Sequence, residues 1–425
     1  MRCQFLFRRL LLLWLLVFVS CSAPPTSTPS NSDRVVLRLW YAWPAAEGRV
    51  LQTLVDQFNQ TYPQWQIIVQ VRPAVSLPID LATAVNEGGG PHLAIVQSHT
   101  LGALVSAGAL RPLDELIAAG ELRSLLPTAV GAACVTVADQ PVLFGLPISF
   151  DTLALYYNRA NVLQPPASLE ELLFTGRSLT DRNRIPPVWG LAYNLSLDRT
   201  IGYLYAFGGR VFDENGAVVL GDSGRAGTER WLTWLSDLYR DEHVLATFDG
   251  VVVDRVLQAR EAIITIDWAH AQAEYRAIWN DQLGVTPLPK LNATDLPPQP
   301  YVQADVIVMN ARLSDLAERA AAQAFMRFML EVNSQRAMLA AGRQPTQLAL
   351  QLSDTDLDDP VQLAAARAFR MQAQQGLPMP ADRLANEVVW TALTDMQVSA
   401  VRGLLTPEQA VTIADEMIRS RLVPP

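Results

Sequence analysis

Val35-Val36-Leu37-Arg38-Leu39-Trp40 opens the stretch that decides the fold, and Leu93-Ala94-Ile95-Val96 closes it. Both are short apolar runs of the kind that form strands, and a third such run lies between them at residues 65–71. Apolar residues recur at helical spacing in the two segments that separate these strands, over residues 45–62 and 79–86. Strands that alternate with helices at this rhythm predict an α/β fold, with a parallel sheet covered by helices.

The rest of the chain continues the α/β pattern and then becomes helical. Strands are expected over residues 153–157, 188–193, 262–266 and 306–309, and helices over residues 100–107 and 225–239. After Leu313 the helical period dominates, and helices are expected over residues 315–330, 335–341, 360–374, 382–401 and 407–421. Thr406, directly before Pro407, is predicted to be the N-cap of the last of these helices.

The strand ends indicate where a ligand would bind. Open α/β sheets bind their ligands at the carboxyl ends of their strands. In the first part of this chain those ends are residues 40–47 and 97–100. A binding site is therefore expected to include side chains from these two loops.

The composition is that of an acidic globular protein with two domains. A chain of 425 residues is too long for one hydrophobic core. Its formal charge is −9 at pH 7, and the arginines among residues 1–9 contribute +3, so the remainder carries −12. Nucleic acid is not an expected partner, because phosphate contacts require clustered Lys or Arg and the chain has no basic block.

The first thirty residues resemble a bacterial export signal that ends at a lipid-attachment cysteine. Arginines precede an apolar run over residues 10–20, which is too short to span a bilayer and stops at Cys21. Val19-Ser20 before Cys21 resembles a lipobox, although Phe18 is bulkier than usual, and the Ser/Thr/Pro-rich residues 22–32 predict a flexible tether. We expect an acylated Cys21 outside the cytoplasmic membrane, at the cell surface or in the periplasm. The alternative is a plain secretory signal in which Cys21 is incidental.

Catalytic and metal-binding patterns are weak. Cys3 leaves with the signal and Cys21 takes the lipid, so Cys134 has no partner for a disulfide. Gly221-Asp222-Ser223-Gly224 imitates a serine-protease nucleophile turn, but the scattered histidines provide no base beside it. No Cys/His cluster has metal-ligand spacing. We expect no cofactor and no enzymatic activity, with a lipoprotein hydrolase or lyase as the alternative.

Five segments in a fixed order resemble the extracellular solute-binding proteins of the group that includes maltose-binding protein, the capture components of ABC sugar importers. The resemblance covers nearly the whole mature chain. The segments are Leu39-Trp40-Tyr41-Ala42-Trp43, Gly145-Leu146-Pro147-Ile148-Ser149-Phe150-Asp151 with its continuation to Asn158, Gly208-Gly209-Arg210-Val211-Phe212 with its continuation to Gly216, Arg260-Glu261-Ala262-Ile263-Ile264-Thr265-Ile266 before Trp268, and Gly284-Val285-Thr286-Pro287-Leu288-Pro289.

The resemblance implies a periplasmic-binding-protein fold, in which two α/β lobes joined by crossing strands close on a solute held between them. It also implies a division of the chain. The expected parts are a signal peptide at residues 1–20, a tether at 21–32, an N-terminal lobe at 33–145 plus 303–341, and a C-terminal lobe at 147–301 plus 342–425.

Sugar sites combine flat aromatic rings with planar polar groups, because sugars present both C–H faces and hydroxyls. Trp43 and Glu47, in the first strand–helix loop, are candidates of this kind, although Glu47 could simply interact with the helix dipole. By resemblance, Asp151 matches a family carboxylate that accepts sugar hydroxyls, and Trp268 and Trp390 match family aromatics that stack on sugar. For any single Trp the alternative is a half-buried packing residue.

One turn departs from the maltose-type pattern. Where such proteins carry an acid and a base after the third strand, this chain has Ser98, His99 and Thr100. The missing charges put maltose itself in doubt. Ser98 and His99 stay candidate ligand contacts, with a surface or capping role as the alternative for His99. Asn194 is a further candidate on the rim of the second lobe.

We therefore expect a monomeric, lipid-anchored substrate-binding protein that delivers a mono- or oligosaccharide to the transmembrane permease subunits of an ABC importer. The resemblance leaves other solutes open. A glycerol phosphate ester would require arginines or helix N-termini in the cleft, and a polyamine would require several acids beside aromatic faces. A sensory receptor that does not feed a transporter is the third alternative.

Overall fold

The computed structural model describes residues 34–213, 216–382 and 385–422. The predicted signal peptide, the tether and Cys21 lie outside these residues. Within the described ranges, no helix is both long and apolar enough to cross a membrane.

Strands and helices alternate along most of the described chain. The strands are β1 (Val35–Tyr41), β2 (Trp65–Val71), β3 (Leu93–Gln97), β4 (Cys134–Val137), β5 (Gln140–Leu143), β6 (Gly145–Asp151), β7 (Leu153–Asn158), β8 (Trp189–Asn194), β9 (Leu245–Thr247), β10 (Ala262–Trp268), β11 (Leu283–Thr286), β12 (Tyr301–Met309), β13 (Gln344–Pro345) and β14 (Leu377–Pro378). The α-helices are α1 (Ala45–Thr61), α2 (Leu77–Asn86), α3 (Leu101–Ser106), α4 (Ala119–Leu122), α5 (Pro127–Ala132), α6 (Leu169–Leu179), α7 (Leu197–Ala206), α8 (Arg225–Arg240), α9 (Gly250–Gln258), α10 (Gln272–Trp279), α11 (Leu316–Leu330), α12 (Val332–Ala340), α13 (Pro360–Gln375), α14 (Trp390–Val401) and α15 (Pro407–Leu422).

The first sheet has the order β13-β6-β12-β3-β1-β2, with β14 beside β12. Strand β1 runs parallel to β2 and β3, as the alternating pattern predicts, but β12 runs antiparallel to both β3 and β6. The parallel arrangement predicted for the first three strands is therefore confirmed, and β12 makes the sheet as a whole a mixed one. The reason is the chain path: β6 leaves this sheet towards the second one and β12 returns from it in the opposite direction.

The second sheet has the order β11-β7-β10-β8-β9 and is also mixed. Strands β10, β8 and β9 are parallel neighbours, whereas β7 is antiparallel to β10 and β11. Strand β6 ends at Asp151 and β7 begins at Leu153, so Thr152 alone joins the two sheets here. The hydroxyl of Thr152 donates to the carbonyl oxygen of Tyr301, the first residue of the returning strand, at 3.3 Å. Two crossings of the chain thus meet at one point.

The part after Leu313 is helical, as expected, but two short strands interrupt it. Strand β13 pairs with β6, and β14 pairs with β12. Each has two residues and includes a proline, so neither shows the alternation that identifies a strand in a sequence. The predicted cap at Thr406 is confirmed, because its Oγ1 accepts a hydrogen bond from the Gln409 amide at 3.2 Å and its own amide donates to Gln409 Oε1 at 3.0 Å.

Candidate functional site

A cavity of about 370 Å³ opens where the loops of the two sheets meet. Its lining comes from the loop after β1, the ends of β3 and β6, the residues after β10, strand β12 and the turn between α12 and β13. The chemically informative side chains in this lining are Trp43, Glu47, Asp151, His270, Asp305 and Arg343.

Arg343 is the centre of the charged part of the cavity. Its guanidinium forms ion pairs with Glu47, in the first turn of α1, and with Asp305 of β12. Asp305 also accepts a hydrogen bond from the buried Ser149 hydroxyl at 3.0 Å. The Arg343 guanidinium carbon lies 4.0 Å from the ring centroid of Trp43, a cation–π arrangement. The Arg343 side chain therefore joins its own turn to the start of α1 and to β12, and Asp305 extends the connection to Ser149 of β6.

The turn that carries Arg343 is a helix-ending motif. The Gly342 amide donates to the Leu339 carbonyl at 2.9 Å and the Arg343 amide donates to the Met338 carbonyl at 3.0 Å. Gly342 has φ +92°, which glycine adopts at little cost and other residues adopt with strain. This double hydrogen bond is the Schellman motif, and it fixes the direction in which the chain leaves α12. Arg343 is thereby directed across the sheet towards Glu47.

A second polar pair lies on the other wall of the cavity. His270 Nδ1 is 2.6 Å from Asp151 Oδ2, and the His270 amide donates to Asp151 Oδ1 at 3.3 Å. The hydrogen bond to the Asp151 carboxylate raises the pKa of His270 to about 8, against the opposing effect of burial. Asp151 ends the last strand of the first sheet before the crossing, and His270 follows β10 of the second sheet, so the pair connects the two sheets.

Three of the predicted site residues line the cavity: Trp43, Glu47 and Asp151. Trp43 is 6% exposed, and Glu47 pairs with Arg343 while it lies at a helix N-terminus. Each of the three follows or ends a strand in the sequence. Their convergence therefore agrees with the rule that such ends meet.

The other predicted residues lie outside this lining, at the ends of four different elements. Ser98 is fully buried and its hydroxyl accepts from the Ala304 amide at 3.1 Å. His99 follows it in the same turn, and burial lowers the pKa of its imidazole. Asn194 Oδ1 accepts from the Ser196 amide at 3.0 Å. Trp390 begins α14 and packs on Tyr301, with ring centroids 6.1 Å apart.

Trp268, also outside the lining, belongs to a partly buried ionic network in the second sheet. Its indole Nε1 donates to Asp198 at 2.8 Å, and Asp198 pairs with Arg199 at 2.9 Å. Arg199 also pairs with Asp267 at 2.7 Å, and Asp267 accepts from the Tyr275 hydroxyl at 2.8 Å. Burial works against the charge of Arg199, but Asp267 and Asp198 outweigh it and the pKa of the guanidinium is raised. The Trp268 indole nitrogen is therefore engaged by protein.

Sequence reasoning missed Arg343, Asp305 and His270. Asp305 could have been noticed as an acid within an otherwise apolar strand, and His270 as a polar residue two positions after Trp268. Arg343 had no such signal, because it follows a helix of ordinary composition and reaches Glu47 only through the tertiary fold. The protease-like Ser223 turn lies elsewhere, where the Gly221 amide donates to Asp415 of α15 at 2.9 Å.

Comparison with known proteins gives one family and several structures with the same fold. The family described as bacterial extracellular solute-binding protein matches residues 53–365. The maltotriose-binding protein of Pyrococcus abyssi (strain GE5 / Orsay) is 28% identical over 184 residues, which are 43% of this chain and 38% of that protein. The aligned region therefore spans less than half of the relative's length.

Two solved structures illustrate the likeness of the fold. The maltose/maltodextrin-binding domain MalE from Bdellovibrio bacteriovorus bound to maltotriose matches with a TM-score of 0.71 at 20% identity, over 91% of this chain and 100% of that one. The Thermus thermophilus maltotriose binding protein bound with maltotriose matches with a TM-score of 0.70 at 22% identity, again over 91% and 100%. Their fold is the two-lobed fold that the sequence segments predicted.

Proposed function

Because this chain belongs to the family of bacterial extracellular solute-binding proteins, we propose that it captures a mono- or oligosaccharide between two closing lobes. It then delivers the sugar to the membrane permease of an ABC importer, acting as a monomer. The names of the relative and of the matched structures, which refer to maltotriose, support a saccharide as the solute. The fold alone does not identify the solute. The lining of the cavity is what favours a saccharide for this chain.

The observation that carries the proposal is the cavity between the two sheets, which joins an indole with directional polar groups. Carboxylates of Asp151, Glu47 and Asp305 have acceptor positions beyond those used in their ion pairs, and sugar hydroxyls can donate to them. Pro44, Ala74 and Pro78 of the lining supply accessible apolar surface for the C–H groups of a sugar, and the largely buried indole of Trp43 lines the same cavity. A largely apolar cavity with a few convergent polar groups is typical of a small-molecule site.

The lobes that close on the solute are proposed to be residues 33–145 plus 303–341 and residues 147–301 plus 342–425. Strand β6 pairs within the first sheet up to Asp151. Strand β13 pairs with β6 in the same sheet. We therefore propose that the boundary expected at residues 145–147 lies instead at Thr152, so that residues 147–151 and 344–345 belong to the first lobe. A ligand shifts the balance towards a closed form only if it contacts both lobes. Asp151 and His270 lie on opposite sides of this point and provide such contacts.

The protein is proposed to work outside the cytoplasmic membrane, held by a lipid on Cys21 and a tether at residues 22–32. The family is extracellular, which agrees with an exported chain. The anchor itself rests on the sequence pattern at residues 1–21.

The alternative solutes find less support in the cavity. A phosphate ester requires available positive charge, but Arg343, the one arginine among the described lining residues, is already paired with two carboxylates. A polyamine requires available negative charge, but each lining carboxylate already has a cationic or histidine partner. A sensory receptor would use the same cavity and differ only in the membrane protein that it meets.

Thermal unfolding against a panel of solutes tests the proposal. A ligand at about 100 times its dissociation constant stabilises the folded state by about 2.7 kcal/mol, which raises Tm by several degrees. We expect a saccharide such as maltotriose to do this, and Asp151→Ala to abolish the shift. Asp222→Asn, which alters an exposed ion pair with Arg419 outside the cavity lining, is the control and should keep the shift. A shift with glycerol phosphate or spermidine alone would refute the saccharide proposal.

A further inference from the structure

Three buried polar atoms in the cavity have no hydrogen-bond partner among the described residues. They are Trp43 Nε1, Arg343 Nε and Gln344 Oε1, and all three residues line the cavity. Trp43 is 6% exposed and Gln344 only 1% exposed. The Gln344 amide nitrogen is used, since it donates to the Gly342 carbonyl at 3.2 Å, so the amide is held in one orientation.

Unpaired buried polar atoms are costly, at about 1–3 kcal/mol each, and folded proteins rarely keep them. Other atoms of this kind lie elsewhere in the described chain, for example on Arg111, Tyr203 and Trp234, but these three belong to residues that line one cavity. Two are donors and one is an acceptor. A sugar hydroxyl, which both accepts and donates, is the group that can satisfy neighbouring atoms of both kinds.

The position of Arg343 also limits how Trp43 can be used. The guanidinium lies over the indole at 4.0 Å, so one face of the ring is covered by protein. The remaining exposure of Trp43 is small. Broad stacking of a sugar on the covered face is therefore prevented, and the buried indole N–H is the polar part of the ring that has no protein partner.

From these contacts we propose that Arg343 is a specificity-determining residue of the cleft. Its Nε, together with Trp43 Nε1 and Gln344 Oε1, binds hydroxyls of an uncharged saccharide. Its pairing with Glu47 and Asp305 leaves no free positive charge for an acidic sugar. This inference rests on the proposed function and narrows the solute to uncharged saccharides.

The charges of the cavity support this selectivity. The lining carries three carboxylates, Glu47, Asp151 and Asp305, against the guanidinium of Arg343 and the imidazole of His270. A carboxylate on the ligand would lie near groups of its own sign, in a partly buried site where charge repulsion is only weakly screened. A hydroxyl at the same position meets no such repulsion.

Calorimetric titration of two probes tests the proposal: maltotriose, and maltotriose whose primary hydroxyls have been oxidised to carboxylates. We expect the native protein to bind the oxidised probe at least tenfold more weakly. The double variant Glu47→Gln with Asp305→Asn frees the charge of Arg343 and should reduce this preference at least tenfold. Equal affinity of the native protein for both probes, or an unchanged preference in the double variant, would overturn the proposal.

A second set of variants separates recognition from folding. Arg343→Gln and Arg343→Lys should each lower the affinity for maltotriose at least tenfold, because neither supplies the Nε–H donor. Arg336→Gln removes a comparable arginine, paired with Asp356 away from the cavity, and should leave the affinity unchanged. If Arg343→Gln lowers Tm but keeps the native affinity, Arg343 is only structural and the proposal fails.

A crystal structure of the unliganded protein provides a test that needs no sugar. Ordered water on Trp43 Nε1, Arg343 Nε and Gln344 Oε1 would support their role as ligand-facing atoms. Protein partners on these atoms would overturn it. If neither probe binds, the proposed saccharide function fails, and this structure still decides the role assigned to the three atoms.

Discussion

At the scale of single residues, the cleft is built from charges that are already paired. Glu47 and Asp305 share Arg343, and Asp151 holds His270. A pair that is partly buried retains its geometry because separation would leave each charge poorly solvated. The solute is therefore expected to bind to the remaining lone pairs and N–H groups of these residues. The ion pairs themselves should stay intact when it binds.

The Asp151–His270 pair predicts a pH dependence of folding stability. The pKa of His270 is raised to about 8 from an ordinary value of 6.5. The pair therefore stabilises the fold fully below about pH 6.5, and this contribution is lost as the pH rises through about 8. Because the His270 side chain is 67% exposed, we expect less than about 1 kcal/mol.

Urea unfolding of the native protein and of His270→Gln measures this effect. The native protein should be the more stable of the two at pH 6, and the difference should vanish at pH 9. A difference of the same size at both values would contradict the assignment.

The network around Arg199 predicts a larger effect. Asp267→Asn removes the carboxylate that pairs with Arg199 and accepts from Tyr275. Loss of one member of a buried pair costs about 3–5 kcal/mol. Since Asp198 still faces Arg199, we expect about 2–3 kcal/mol for Asp267→Asn.

Chemical denaturation of Asp267→Asn beside Asp222→Asn provides the comparison. Asp222 is 68% exposed in its pair with Arg419, so its replacement should cost less than about 1 kcal/mol. Equal losses in the free energy of unfolding of the two variants would show that the network around Arg199 stabilises the fold no more than an exposed ion pair does.

The site residues that lie at or after strand ends were predictable from the sequence. Those that reach the cavity from distant segments of the chain were not. Trp43, Glu47 and Asp151 were accessible because a strand pattern precedes or contains each of them. Arg343 reaches Glu47 from almost 300 positions away in the sequence, and only the pairing of β13 with β6 brings that turn to the cavity. For Trp268, no local pattern indicated that its indole nitrogen binds Asp198.

At the scale of elements, the end of α12 decides where Arg343 lies. Gly342→Ala forces an alanine into φ +92°, although the space for its methyl group is open. We expect a loss of about 1–2 kcal/mol in stability. We also expect weaker saccharide binding, because a relaxed turn redirects Arg343.

Gly88→Ala is the matched control. Gly88 has φ +88° with open space around it, and it lies outside the cavity lining. Guanidinium unfolding should show similar losses for both variants, whereas calorimetry should show reduced binding for Gly342→Ala alone. Unchanged saccharide binding by Gly342→Ala would show that the conformation of this turn does not affect the binding site.

The elements themselves were largely predictable, and their pairing was not. Strand β2 has the predicted bounds and α1 ends one residue earlier than predicted, because period and breakers such as Pro63 are local signals. Strand β12 begins at Tyr301, five residues before the predicted start. The antiparallel placement of β12 depends on the chain returning from the second sheet, and no local sequence pattern predicts that path.

At the scale of the whole molecule, the proposed anchor predicts the location of the protein. Cys21→Ser removes the thiol that would carry the lipid, so the chain should lose incorporation of labelled palmitate and leave the detergent phase in a Triton X-114 partition. Cys134→Ser, which changes a half-buried cysteine in the folded part, is the control and should keep both properties. Unchanged labelling in Cys21→Ser would refute the anchor.

The central claim is that a saccharide binds in the cavity between the two sheets. Isothermal titration of maltotriose into the native protein and into Asp151→Ala tests it most directly. We predict saturable binding of one sugar per chain in the native protein, and at least a tenfold loss in Asp151→Ala, because that carboxylate faces the cavity from the crossing point. Saccharide binding that is unaffected by Asp151→Ala, or no binding of maltotriose or any other saccharide, would contradict the account.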